Sequence, residues 1–489
     1  MTREDALAIF RAGEDAAVGA LLDLDARLSE ALRALDALGQ RISQLESRAA
    51  KDSHNSSKPP SSDGLAKPKP KPKSLRAPSQ RKTGGQPGHE GRTLRMAAAP
   101  DTTVVHRVDR CGGCGASLAA QAPDRIERRQ VIDVPEPKLE VTEHQGEIKT
   151  CGCGCVNRAP FPPEAAAPVQ YGPRILAAAA YLKDYQLLPF GRAAEIMRDL
   201  FACGTLSQGT LANISAACAA RLKPAEEAIR AQAAVASVAG FDETGMRAAG
   251  SLHWLHVVST RALTWYFAHK KRGREAMDAA GILPNFAGRA VHDFWDPYLR
   301  YGCRHAFCNA HLLRELIFIW EEQGQPWAKA MIGHLLAIKA AADAARAAGW
   351  AALPRALASK FRKRCLQIAG QGCRQNPVPD PPAGARRRGR VKKTKARNLA
   401  ERFRGHVRQI LAFMYDLTIP FDNNLAERDL RMMKLRAKIS GTFRSLDALS
   451  DFCRIRGYVS TARKNGLTAL EALRRAFAGD PFVPKSNTS

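Results

Sequence analysis

The sequence predicts a multidomain α/β protein: a mixed-sheet core with a helical insertion, preceded by a coiled coil, a basic linker, a cysteine-bearing segment and a helical region. Three observations carry this. Three β-branched and aromatic runs follow one another from Val235, with a helix-compatible stretch and further short runs after them. A 3-4 spaced leucine pattern occupies the first 50 residues, and five of the twelve cysteines crowd between Cys111 and Cys155. At 489 residues and 45% apolar content the chain can fill more than one core.

From the N-terminus, Leu21, Leu24, Leu28, Ala31, Leu35, Leu38, Ile42 and Leu45 keep a strict 3-4 alternation. That is a short heptad repeat over residues 1–50, suited to self-association of the chain. Residues 51–100 form a linker rich in Pro, Ser and Gly, with eleven Lys and Arg against three acids from Lys51 to Arg95. Such a segment has too little apolar surface to fold alone, and alternating Lys-Pro suits a phosphate-tracking arm.

Over 101–165, "CGGC" and "CGCGC" bracket strand-like "RIERRQVIDVP" and "KLEVTEHQGEIK". Two cysteine knuckles joined by a hairpin predict a zinc ribbon, because four thiolates close a tetrahedral site and the ion replaces a missing core. Cys111 and Cys114 are the first pair. The second is drawn from Cys151, Cys153 and Cys155, with Cys151 and Cys153 preferred. The other seven cysteines read as small buried residues.

Residues 166–234 read as helices, with a turn at Cys203-Gly204 and a second helix capped by Ser207, a layout that suits either helix-turn-helix DNA binding or simple packing. Then come "VASVAGFDETG", "SLHWLHVVST" and "ALTWYFAHKKRG" as three strands, and "GRAVHDFWDPY" and "RHAFCNAHLLREL" as shorter ones. Asp242 is expected to close the first strand and Asp293 the fourth, where carboxylates can converge on divalent cations. A helical, Ala-rich insertion over about 316–418 includes "RRRGRVKKTKAR", Arg386 to Arg397, with eight basic residues and no acid.

Beyond it, "IPFDNNLAERDLRMMKLRAKISGTFRS" sets Glu427 behind three candidate caps, Asp422, Asn423 and Asn424. On a helix starting near Asn424, Glu427 shares a face with Arg431, Lys434 and Lys438, beside an apolar stripe of Ala426, Leu430, Met433 and Ala437. Glu427 is either a helix-end partner of Arg431 or the third metal-binding carboxylate, with Asp242 and Asp293. Residues 446–489 read as a C-terminal helical region.

The balance of 75 Lys and Arg against 47 Asp and Glu, a net +28, points to a polyanionic partner, nucleic acid first. No run of 18 apolar residues and no basic-then-apolar leader occurs, so a cytoplasmic, nucleoid-associated chain without a membrane partner is expected.

The chain resembles a transposase of the insertion sequence 66 family almost end to end. The resemblance is carried by "KDSHNSSKPPSSDG", "GGQPGHEGRTL", the knuckles, "APVQYGPRILAAAAYLKDYQLLPFGRAAEI", "FDETG", "VHDFWDPY", "FCNAHLLREL", "PFDNNLAERDLRMMKLRAKISGTFRS" and "FCRIRGYVSTARKNGLTALEAL". It implies a DDE catalytic domain of ribonuclease-H-like fold over 235–445, with Asp242, Asp293 and Glu427 as its triad and Mg²⁺ or Mn²⁺ as cofactor. A His commonly follows the second knuckle in that family, where this chain has Cys155. The implied reaction is metal-dependent cleavage at the ends of an insertion sequence and strand transfer into target DNA. Arg428, Arg431, Lys434 and Lys438 are expected on the DNA backbone, with Arg386, Arg387, Arg388 and His311 as further contacts. A homo-oligomer formed through the coiled coil fits the joining of two DNA ends, and accessory proteins are left open. A ribonuclease-H-like nuclease and a non-catalytic zinc-ribbon repressor are the rival readings.

Overall fold

The structure is a computed structural model that describes residues 2–49, 90, 93–378 and 393–485. The N-terminal helix α1 (Arg3–Arg11) opens with a capping box in which Thr2 and Asp5 exchange hydrogen bonds between side chain and backbone. Helix α2 (Glu14–Ala49) then runs for 36 residues. Its Leu21, Leu24, Leu28, Leu35, Leu38, Ile42 and Leu45 are all exposed, so among the described residues nothing covers the heptad stripe. Most of the expected linker lies outside the described residues.

In the cysteine segment only one short antiparallel hairpin forms, β1 (Ile148–Thr150) with β2 (Val156–Arg158). The strand expected at "RIERRQVIDVP" is absent: Ile126, Val131 and Val134 are exposed, and a strand without a laddered neighbour or a covering layer has nothing to hold it.

Helices α3 (Pro173–Ala180), α4 (Phe190–Phe201), α5 (Gln208–Arg221) and α6 (Lys223–Ala234) follow, with a π turn over Tyr181–Tyr185. Ser207 caps α5 by accepting from the Thr210 N–H at 3.0 Å, as its position predicts. Ala177, Met197, Leu211 and Cys218 bury against Tyr458 and Leu473 of the C-terminal helices α15 (Leu446–Lys464) and α16 (Ala469–Phe477). The helices that precede the sheet and those that end the chain therefore share one core.

The central sheet has five strands in the order β5-β4-β3-β6-β7. Strands β3 (Val238–Ala248), β4 (Ser251–Ser259) and β5 (Thr264–His269) form an antiparallel meander; helix α7 (Arg274–Ala280) crosses to β6 (Arg289–His292), which pairs parallel to β3 and to β7 (Arg304–Phe307). The β3-β4 turn places Ala249 at φ 48° and Gly250 at φ 74°, a left-handed pair that matches the twist of a two-residue hairpin. One face of the sheet buries Phe241, Val258 and Trp265 against Met277, Phe286 and Tyr298. The opposite face buries Met246, Leu255 and Val257 against Leu430 and Met433 of α14 (Asn424–Ser440).

Between β7 and α14 lies a helical layer: α8 (Asn309–Gln323), α9 (Pro326–Ala347), α10 (Arg355–Gln375), α11 (Lys395–Gly405), and the short α12 (Val407–Ile410) and α13 (Ala412–Tyr415). Its core, around the fully buried Trp327, Leu335, Ile368 and Phe403, is continuous with Val291 of β6 and with Ala306 and Phe307 of β7. Gly372 lets α10 approach Trp327, since a Cβ there would stand 2.7 Å from the indole. Among the described residues no helix is long and apolar enough to cross a membrane.

Candidate active site

The pleat of β3 decides which acid does what. Along β3 the odd-numbered Phe241 faces the α7 side and the even-numbered Met246 and Ala248 face α14, so successive acids at 242 and 243 point to opposite faces. Asp242 does not close its strand as the sequence suggested: β3 continues to Ala248 in the hairpin with β4. What ends just before it is the parallel ladder with β6, whose last pair is Gly240 with Val291. Asp293 follows β6 directly, and its Oδ1 accepts from the Trp295 N–H at 3.1 Å. The two aspartates thus stand where the parallel half of the sheet opens, the usual position for a site in such sheets.

Glu427 reaches the same place from the first turn of α14. Asn423, expected to cap that helix, makes no side-chain cap; its Nδ2 donates instead to the Phe241 carbonyl at 2.8 Å, tying the helix start to β3. Gly240 makes room for this tie, because a Cβ would stand 2.4 Å from Asn423 Oδ1 and 3.3 Å from Ala426 Cβ. Asp422 caps locally by accepting from the Asn424 N–H at 3.1 Å. Ala426, Leu430 and Met433 are buried as the stripe predicts, whereas Ala437 is exposed because α14 has by then run past the sheet.

Asp242 feels both partners. Burial first, then the charges of Glu243, Glu427 and Asp293, pushes its carboxyl up to about 8. Its described hydrogen bond is from the Glu243 N–H at 2.9 Å. Among the described residues no Lys or Arg forms an ion pair with Asp242, Asp293 or Glu427, and the oxygens of the three do not all come within 4.8 Å of one another. An uncompensated, partly buried group of three carboxylates fits divalent cations, whose charge would reverse the upward shift.

The neighbouring acids are committed elsewhere. Glu243 accepts from Arg272 Nε at 2.9 Å and Nη2 at 2.7 Å and from the Tyr298 hydroxyl; the guanidinium lies over the rings of Trp254 and Trp295. Asp296 is exposed and pairs with Arg300. Asp429 accepts from Ser259, Thr264 and Lys464, and Glu401 from Lys393 and Arg397.

Glu427 does not pair with Arg431 among the described residues. Its Oε1 lies 3.7 Å from Cys308 Sγ and 3.7 Å from His311 Nδ1. His311, read from sequence as a DNA contact, is therefore turned toward the acid group, and Cys308, read as a small core residue, stands beside it. Burial first, then the Glu427 charge, raises the Cys308 thiol to about 12, so in the metal-free protein it is a neutral donor to the carboxylate. The signal that could have found this pair is the C-x-x-H spacing of "CNAH" at a strand-to-helix junction. Asn423 and Gly240 had no such signal.

Arg428, Arg431, Lys434 and Lys438 are exposed on α14, open to a polyanion. Arg386, Arg387 and Arg388 lie outside the described residues. The cysteine knuckles are separate: Cys111 is hydrogen-bonded with Cys114 and Cys151 with Cys153, which lowers the Cys111 and Cys151 thiols, but no three of these five sulfurs lie within 4.8 Å of one another.

Residues 168–450, which hold all three acids, match the family described as Transposase IS66 family. The chain belongs to the IS66 family of transposases. Membership in this DDE family implies DNA as substrate and the use of divalent metal. Residues 18–95 match a family of unknown function (DUF6444), and no curated protein matches the chain.

Proposed function

We propose that this IS66 transposase binds the ends of an insertion sequence, cleaves them in the presence of Mg²⁺ or Mn²⁺ and transfers the strand into target DNA, using a ribonuclease-H-like core over 235–445. The observation that carries this is the convergence of Asp242, Asp293 and Glu427, the last two of which raise the Asp242 carboxyl, with no Lys or Arg paired to any of the three among the described residues. Such a site is unfavourable unless cations occupy it, and its members come from two sheet strands and the helix laid across them. Asp242, Asp293 and Glu427 would hold the divalent cations. When bound, these supply Lewis acidity toward the attacking water or 3′-hydroxyl and toward the leaving oxygen.

The chain's own residues do the remaining work. Asn423 and Gly240 fix where Glu427 enters the site. Arg428, Arg431, Lys434 and Lys438 bind the backbone of the DNA and set its register. In the N-terminal part, Cys111 and Cys114 with two of Cys151, Cys153 and Cys155 would hold a structural zinc. The exposed leucines of α2 would pair two copies as a coiled coil, so that two ends meet in one complex. A nucleoid-associated location follows from DNA as substrate.

The test is a supercoiled donor plasmid carrying the element ends, mixed with a target plasmid in Mg²⁺ or in chelator. Joined donor-target products that require the cation are expected. Cleavage without joining would establish the nuclease reading, and binding to the ends without cleavage the repressor reading.

A further inference from the structure

We propose that Cys308, His311 and Glu427 form a binding site for a zinc-class transition-metal ion, separate from the hard-cation position at Asp242 and Asp293. One ligand atom from each lies within 4.8 Å of the other two, and among the described residues this is the one such group. The spacings from Glu427 Oε1, 3.7 Å to the sulfur and 3.7 Å to the imidazole nitrogen, suit three corners of a tetrahedron around an ion about 2.0 to 2.3 Å from each.

The donor set selects the ion class. Thiolate and imidazole favour Zn²⁺ or Co²⁺ over Mg²⁺, which takes oxygen. His311 Nδ1 is buried, faces this point and among the described residues has no hydrogen-bond partner, an arrangement that ordinarily costs stability and that a metal relieves. The sulfur already receives the Asn423 N–H at 3.2 Å, the kind of backbone donor that supports a metal-bound thiolate. Rigidity comes from below: the Cys308 N–H donates to the His292 carbonyl, and Asn309 Nδ2 donates to the carbonyls of Ile410 and Phe421.

Both contacts use Glu427 Oε1, so Oε2 is left to face the cations of the proposed reaction. The site would pin the β7-α8 junction to α14 and fix the third acid. Uptake of M²⁺ breaks the Cys308 S–H bond, forms a metal-sulfur bond and releases one proton to solvent.

The test uses the full chain with Cys111, Cys114, Cys151, Cys153 and Cys155 replaced by Ser, freed of metal and titrated with Co²⁺. One equivalent is expected to bind, with a thiolate-to-cobalt charge-transfer band and tetrahedral visible bands. Cys308→Ser should abolish the charge-transfer band, and His311→Ala and Glu427→Gln should weaken binding by about tenfold or more. X-ray absorption of the zinc-loaded parent should show one sulfur at about 2.3 Å, a reading that needs none of the three further variants to fold. No charge-transfer band in the parent, or a band that survives Cys308→Ser, overturns the proposal. Because Glu427 is shared with the proposed reaction, the readout is metal binding alone: an inactive protein that keeps the band loses the reaction and retains this site.

Discussion

The cysteine knuckles and the acid group are both made of metal-ligating side chains, yet different forces position them. Around the knuckles Cys114, Cys151, Cys153 and Cys155 are exposed, as are Val131, Val134 and Val141, and what closes each loop is local backbone bonding such as Gly115 N–H to the Cys111 carbonyl and Gly154 N–H to the Cys151 carbonyl. Asp242, Asp293 and Glu427 are instead carried by strands and a helix whose apolar sides are buried on a common sheet. A packed core can hold acid groups together before any ion arrives; an exposed segment needs the ion to define it.

The largest effect that contrast predicts is in the knuckles. Chelation of zinc-loaded protein should strip hydrogen-exchange protection from residues 101–165, a change worth roughly 10 kcal/mol of coupled binding and folding, while β3 and α14 keep theirs. Equal loss in both regions would break the comparison. Next comes pH. Asp242 has its folded value raised above the unfolded one, so its contribution to stability is complete below about 4 and is lost as pH rises through about 8. Metal-free protein should lose at most about 5 kcal/mol over that window in denaturant titrations, and saturating Mg²⁺ should remove most of the slope.

Smaller changes sharpen the account of the core. Gly240→Ala should cost about 3 kcal/mol, because the new methyl meets Asn423 and Ala426, and thermal melts should show it. Asn423→Ala leaves the Phe241 carbonyl without its donor and should cost about 2 kcal/mol. Smallest is Lys434→Ala, which should leave the melt unchanged and lower the salt slope of DNA binding by about one.

Where residues carried a strong period or a fixed chemical spacing, the sequence was legible. The three-strand meander, the Ser207 cap and the buried Ala426-Leu430-Met433 stripe all follow from periodicity or capping chemistry that acts within a few residues. Glu427 could be placed at a helix start for the same reason. What the sequence hides is tertiary. Asp242 reads as a strand end because a ladder's end and a strand's end look alike in one chain; β4 extends β3 past it. Asn423 reads as a cap because nothing local reveals the Phe241 carbonyl 182 positions earlier. Cys308 is buried, as its reading expects; what a single chain hides is its partner Glu427, 119 residues on.

Asp242, Asp293 and Glu427 are proposed to form one cation-dependent active site rather than a polar part of the fold. The most direct measurement is cleavage of supercoiled plasmid bearing the element ends in Mg²⁺, run beside a gel shift on the same ends for wild type and Glu427→Gln. The change keeps side-chain shape and helix propensity and removes the charge. Cleavage is expected to fall by about a thousandfold or more with end binding kept, since Arg428, Arg431, Lys434 and Lys438 are untouched. Cleavage within a few-fold of wild type would contradict that assignment.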